Sequence, residues 1–240
     1  QRQPPEAPLA QDVLERLAAR HDTDGFRSTV SLGLRQIGFL LLPASAIAAV
    51  LAEPIVRLLY QRGEFTAEQT PVVAGALAAF AVGLTFNGTM LMLNRSFYSL
   101  QAPWVPTWVA LGNLVLNGVL AAILYRVGVW GIPLATSLVN IAGTLALVAI
   151  LRRRLGRLDG GAILSSYARI AAASVAAAAA AFGIWYGLDA TLGRSLGAQI
   201  LSVGIGVLAG TAVFLAAAAF LRVRELQTLR SLRRRSGTTD

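Results

Sequence analysis

Cysteine and lysine are absent from these 240 residues, and histidine occurs once. Without cysteine the chain has no disulfide framework, no thiolate metal site and no thiol nucleophile. His21 lies in the polar stretch "ARHDTDG" with no second histidine to complete a ligand pair, and reads as a solvated surface side chain. All 21 basic residues are arginine, which reads as compositional bias. Charge is scarce as well: 14% of residues carry one, against about a quarter in soluble domains. No pair of acids sits inside an apolar run, no serine, histidine and carboxylate set exists, and no glycine loop follows a strand. Catalysis would therefore have to rest on carboxylates between the apolar runs, namely Glu53, Glu64, Glu68 and Asp189, and the chain is not expected to be an enzyme.

What is abundant is hydrophobic residues, at 55%, with a mean hydropathy of +0.62. Six windows run without a charge: 36–52, 69–94, 96–125, 127–151, 170–188 and 195–221. A helix rising 1.5 Å per residue needs roughly 20 apolar residues to cross a ~30 Å hydrocarbon layer, and each window meets or approaches that length. The shortest lengthens if Arg35 snorkels to the headgroups. None shows the polar face that a soluble bundle requires every 3.6 residues, and none alternates as a barrel strand does. The expected fold class is all-α: a polytopic membrane protein with six transmembrane helices.

Short loops rich in arginine stay cytoplasmic. With six spans both termini lie on one side, and that side collects 17 of the 21 arginines; only Arg57, Arg62, Arg126 and Arg194 fall on the other. Both termini are thus expected in the cytoplasm. The chain divides into a cytoplasmic leading segment (1–28), four membrane helices (29–152), a basic cytoplasmic loop (153–164), a terminal helix pair (165–222) and a basic tail (223–240). The tail "RVRELQTLRSLRRR" is read as an anchor to anionic lipid headgroups, not as a nucleic-acid site. The chain opens on Gln1 with no initiator methionine and no signal peptide before the first span, so a segment cut from something longer is expected.

Polar groups inside the spans mark either interhelical contacts or a polar path. Asn87, Asn94, Asn113, Asn117 and Asn140 are the candidates; Asn113 and Asn117, four apart, share a helix face. Such a face can coordinate a cation, line a substrate path or bond a neighbouring helix, and the last is the plainest reading. Pro43 and Pro133 lie within or near the start of spans, where they kink a helix or are tolerated. In the terminal pair, Gly206 and Gly210 stand at small-xxx-small spacing, which suits close helix packing.

One stretch, "LAEPIVRLLYQRGEFTAEQT" (51–70), concentrates charge between the first two spans. Leu51, Ile55, Leu58 and Leu59 keep helical spacing, with Glu53 and Arg57 four apart in the order that favours an ion pair. This predicts a short interfacial helix with Pro54 in its first turn and Gly63 at its end. The next span starts either at Thr66, with Gln69 completing a capping box, or at Thr70, with Pro71 in first position.

That stretch, followed in order by "ALAAFAVGL", "NRSFYSLQAPWVPT", "GVWGIPLATS" and "LRRRLG", resembles the MurJ/MviN family of lipid II flippases, members of the MOP exporter superfamily. The likeness covers nearly all of residues 25–222 and corresponds to the last six of the family's fourteen membrane helices. It implies the C-terminal half of a bacterial, multi-pass inner (plasma) membrane protein that moves lipid-linked peptidoglycan precursor from the inner to the outer leaflet by alternating access. Its partners would be that precursor, membrane lipids and the missing N-terminal lobe of the same protein, with no nucleic acid. The terminal pair would form a groove for the long isoprenoid tail. The arginines that meet the diphosphate in this family lie mostly outside the chain, so no diphosphate ligand is carried over. Glu53, Arg57, Asn87, Asn94 and Arg95 are the candidates for a substrate path or outer gate. Some members hold sodium in this lobe. Asn113, Asn117 and Thr136 occupy matching positions, although an aspartate common there is Asn117 here. No cofactor is expected beyond such a coupling ion. A related polysaccharide or drug exporter, and a non-transporting membrane scaffold for cell-envelope partners, are the alternatives.

Overall fold

The computed structural model describes residues 23–61, 65–156, 160–193, 195–221 and 223. Seven α-helices occur among them: α1 (Thr23–Val50), α2 (Ala52–Tyr60), α3 (Thr70–Ser99), α4 (Trp104–Leu124), α5 (Gly131–Leu155), α6 (Gly160–Leu192) and α7 (Leu196–Phe220). A 3-10 turn, Tyr125–Val127, extends α4. All but α2 are long and apolar enough to cross a membrane, which gives the six expected spans. The described residues contain no strand.

Local chemistry explains the helix ends. Pro54 has no N–H and its ring crowds the carbonyl four residues back, so the ladder fails at Val50. The chain turns at Leu51 (φ −95°, ψ 14°) before α2 begins. Of the two starts open for the next span, Thr70 is the first helical residue, and Pro71 occupies the opening turn, where an N–H has no intrahelical partner. The other half of the pattern forms just upstream: the Thr66 N–H donates to Gln69 Oε1 at 3.2 Å. Pro133 likewise falls in the first turn of α5 and Pro43 lies inside α1.

Helix ends reach into the polar segments. Helix α1 begins at Thr23, within the leading segment, and runs unbroken into the first span, with Arg27 donating to Asp24 at 3.0 Å in its opening turn. The end of α5 and the start of α6 both fall within the basic segment 153–164. Arg152, Arg153 and Arg154 form the last turn of α5, where cations complement the helix dipole, and Gly156 follows with φ 76°. The interfacial helix ends at Tyr60, not at Gly63, which lies outside the described residues together with His21, Arg62, Glu64 and most of the basic tail.

Two apolar clusters organise the bundle. At the Arg152 end, Phe26, Val30 and Leu34 of α1 meet Leu93 and Phe97 of α3 and Leu147 and Leu151 of α5. Nearer α2, Phe39, Ile47 and Leu51 meet Ala177, Ala181 and Trp185 of α6 and Phe214 of α7. In lipid such contacts gain little from the hydrophobic effect, so close approach and interhelical hydrogen bonds carry the association. The structure supplies both. Ser137 Oγ donates to the Ala79 carbonyl at 2.6 Å and Thr144 to Phe86 at 2.9 Å, tying α5 to α3. Tyr167 donates to the Leu34 carbonyl at 2.8 Å, tying α6 to α1, with its ring over Gly38. Gly206 and Gly210 lie on Ala181 and Ala177 of α6, the packing role their spacing suggested. Helix α4 touches chiefly α5, and none of its membrane-length window is buried.

Candidate functional site

Among the described residues, four features hold polar or concave chemistry. The first joins α4 to α5. Asn117 Nδ2 donates to Thr136 Oγ at 3.3 Å, and Thr136 donates on to the Ile132 carbonyl at 3.3 Å. Asn113, one turn back on the same face, points its amide at Met90 Sδ of α3 (3.7 Å) and rests against Gly143, where a Cβ would collide with it. The shared face is therefore real, and the structure uses it for helix–helix bonding. As a cation site it is poor. A hard cation gathers roughly six oxygen ligands. Asn113, Asn117 and Thr136 offer neutral oxygens alone, Thr136 is already engaged on both sides, and Asn117 presents an N–H to it. By themselves these three do not fit an ion. Removing the amide by Asn117→Val should cost about 1 kcal/mol, the size of an interhelical hydrogen bond in lipid, read as a lower unfolding midpoint in detergent.

The second feature is the outward side of α3. Asn87 and Arg95 are exposed and Asn94 is half-buried; none makes a side-chain hydrogen bond to the described residues, and Asn140 of α5 is likewise without one. Together with the bare flank of α4, where Trp104 and Trp108 are largely exposed, this leaves polar groups on a surface at span depth. In hydrocarbon an unsatisfied amide is unfavourable, so such a face requires further protein or water against it.

The third lies at the α2 end. Glu53 and Arg57 do not pair with each other. Glu53 is exposed, whereas the Arg57 side chain, 12% exposed, reaches across to Asp189 of α6 (Nη2 to Oδ1, 3.3 Å) and lies 5.6 Å from the Trp185 ring centroid. An aromatic face and a carboxylate offer a guanidinium more than a mobile, solvated glutamate on its own helix. Two buried donors, Arg57 Nε and Trp185 Nε1, have no acceptor among the described residues. Sequence reasoning counted Asp189 merely as a loop carboxylate and did not single out Trp185. Arg57 lies 132 positions from Asp189, and no local spacing signals the pairing.

The fourth is an apolar groove of about 430 Å³ between α1 and α7. Phe39, Leu40, Pro43, Ala44, Ile47 and Ala48 form one wall; Val207, Thr211, Phe214 and Leu215 form the other; Ile55 of α2 also lines it. Thr211 is its single polar side chain, and that hydroxyl is spent on the Val207 carbonyl at 2.8 Å. A concavity with no free polar group, set among membrane-length helices, suits a hydrocarbon chain.

Comparison with known proteins adds an independent line. The family profile described as lipid II flippase MurJ matches residues 13–201. A probable lipid II flippase MurJ from Synechocystis sp. (strain PCC 6803) is 36% identical over 150 residues, covering 62% of this chain and 28% of that protein. A lipid II flippase MurJ from Thermosipho africanus is 30% identical over 132 residues, 53% of this chain and 27% of that one. Among solved structures, a lipid II flippase MurJ in an inward closed conformation superposes with a TM-score of 0.66 at 22% identity, over 90% of this chain and 43% of its own. The chain thus spans about a quarter of the length of these curated relatives.

Proposed function

From the premise that this chain belongs to the lipid II flippase MurJ family, we propose that it is the C-terminal part of a bacterial transporter that moves lipid-linked peptidoglycan precursor from the inner to the outer leaflet. The multi-pass membrane character of the chain rests on its six spans; its placement in the inner membrane, with both termini in the cytoplasm, rests on the arginine asymmetry and belongs to the proposal. In that orientation α2 and Asp189 face outward and the Arg152 turn faces the cytoplasm.

The observation that carries the reading is the flippase profile running along residues 13–201 without a change of family. The geometry supports it in two ways. The groove between α1 and α7 offers the polyprenyl tail an apolar bed while the polar head travels elsewhere. The bare flank of α3 and α4, with Asn87, Asn94 and Arg95 on it, is the side on which the N-terminal lobe completes the path. Alternating access is then rocking of one lobe against the other around a central site. No step is assigned to a coupling ion, since Asn113, Asn117 and Thr136 do not form a cage for one.

Filling the groove tests the reading. In cells relying on the full-length protein, Ala44→Trp should cut externally accessible precursor to roughly a tenth, the equivalent of about 1.4 kcal/mol of lost tail binding. Val175→Trp, on the exposed side of α6, serves as a size-matched comparison placed away from both the groove and the α3–α4 flank. Precursor that stays fully accessible after depletion of the full-length protein would overturn the flippase assignment.

A further inference from the structure

Helix α2 joins two bodies of the bundle. Its Ala52 and Val56 pack on Ala74 of α3, whereas its Ile55 and Leu58 pack on the cluster shared by α6 and α7. It is attached to α1 through the single residue Leu51, where Pro54 has interrupted the helical ladder. Pro54 leaves the Val50 carbonyl without its helical donor, so the junction at Leu51 is where α2 can change its angle to α1 once its far side is released.

That far side is held by a contact that is only partly made. A tight arginine–carboxylate pair is bidentate at roughly 2.7–2.9 Å. Here one nitrogen reaches one oxygen at 3.3 Å, and among the described residues neither the buried Arg57 Nε nor the indole N–H of Trp185 beneath it has an acceptor. Burial of donors without partners is unfavourable, and it sets this contact apart from the satisfied Ser137, Thr144 and Tyr167 bonds that fix the other helices. Release costs little, because water or a headgroup can satisfy what the closed contact leaves unmet. The position matters too. Ile55, two residues before Arg57, lines the apolar groove from α2, and Trp185 leans on Gly206, next to the groove residue Val207.

We propose that α2 is a hinged strap: the Arg57–Asp189 contact over Trp185 latches it across the junction between α3 and the α6–α7 pair and closes one end of the groove, and breaking that contact lets α2 swing on Leu51 and open it. The strap adds one releasable ion pair to the fixed ties, such as Tyr167 on the Leu34 carbonyl, that hold the terminal helix pair to α1. It does not depend on which lipid the protein carries.

The test reads the strap position directly. In the full-length protein, with nitroxide labels only at Leu59→Cys on α2 and Leu192→Cys at the end of α6, electron–electron distance measurements should show one short population. Arg57→Ala and Asp189→Ala should each raise a longer population about fivefold, the ratio that ~1 kcal/mol sets at 25 °C. The reversed pair, Arg57→Asp with Asp189→Arg, should return the short population. Labels at Leu91→Cys and Leu145→Cys, on the exposed sides of α3 and α5, should report no change in any of these proteins. Unaltered α2–α6 distances in both single variants would overturn the proposal. So would a reversed pair that behaves like the single variants, or a shift in the α3–α5 labels that tracks the α2–α6 change.

Discussion

Gly83→Leu is expected to separate α3 from α5 and to lower the stability of the bundle by about 3 kcal/mol or more. A Cβ placed on Gly83 would stand 2.5 Å from Ser137 Oγ, 2.7 Å from its Cα and 2.9 Å from its Cβ. The Cα is backbone and cannot swing aside, so the two helices must move apart. Moving them breaks the 2.6 Å bond from Ser137 to the Ala79 carbonyl and strains the Thr144 bond to Phe86 on the same pair of helices. Neighbouring lipid can cover the apolar side chains that separate, but it offers no partner for the hydrogen bonds that break. Thermal unfolding of the purified full-length protein in detergent should show the loss. Gly83→Ala should give a smaller drop with the same sign. A Gly83→Leu protein as stable as the parent would mean that α3 and α5 do not approach as described.

Phe97→Ala should cost about 3 kcal/mol. Phe97 is fully buried between α1 and α5, in the cluster that also holds Phe26, Leu93, Leu147 and Leu151. In a soluble protein the penalty for such a truncation has a transfer part and a cavity part. Within the membrane the transfer part shrinks, since the unfolded reference also lies in hydrocarbon, and the cavity part remains because neighbouring atoms lose their dispersion partners. The effect should therefore sit at the low end of the Phe→Ala range, and Phe97→Leu should recover most of it. Midpoints of thermal unfolding check both. A loss below about 1 kcal/mol would indicate that lipid fills the space.

Much of the architecture was legible in the linear chain because lipid imposes a one-dimensional rule. A span must be long, apolar and helical, so the six uncharged windows correspond to six of the seven helices. The proline and glycine positions were nearly as informative: Pro54 and Pro71 act within the chain, over a distance of four residues, and the breaks they cause appear where local reasoning places them. The alternative starts at Thr66 and Thr70 stay open in the sequence for a local reason too: Thr66 and Gln69 make one bond of the capping box across a turn, while the helix itself begins at Thr70.

The site was less legible, and the residues show why. Asn113 and Asn117 could be placed on one face by spacing, yet what that face touches, Met90, Gly143 and Thr136, depends on how α4 settles on α5. The charge order of Glu53 and Arg57 pointed to a pair within α2, and the fold instead offered Arg57 an aromatic face and a carboxylate on α6. Hydroxyls such as those of the buried Ser137 and Thr144 and the half-buried Tyr167 look unremarkable in sequence because their acceptors are backbone carbonyls of other helices, which carry no side-chain signature.

The sequence by itself determined the solvent, the number of spans, where the helices break and, through its motif order, the family. Those properties follow from hydropathy and from chemistry acting over a few residues. Only the tertiary structure decided that Arg57 answers to Asp189, that α1 and α7 enclose an apolar groove, and that one flank of α3 and α4 is left uncovered. These depend on contacts between residues far apart in the chain, whose energies of about a kcal/mol each are set by the crossing of whole helices and leave no periodic trace in any one of them.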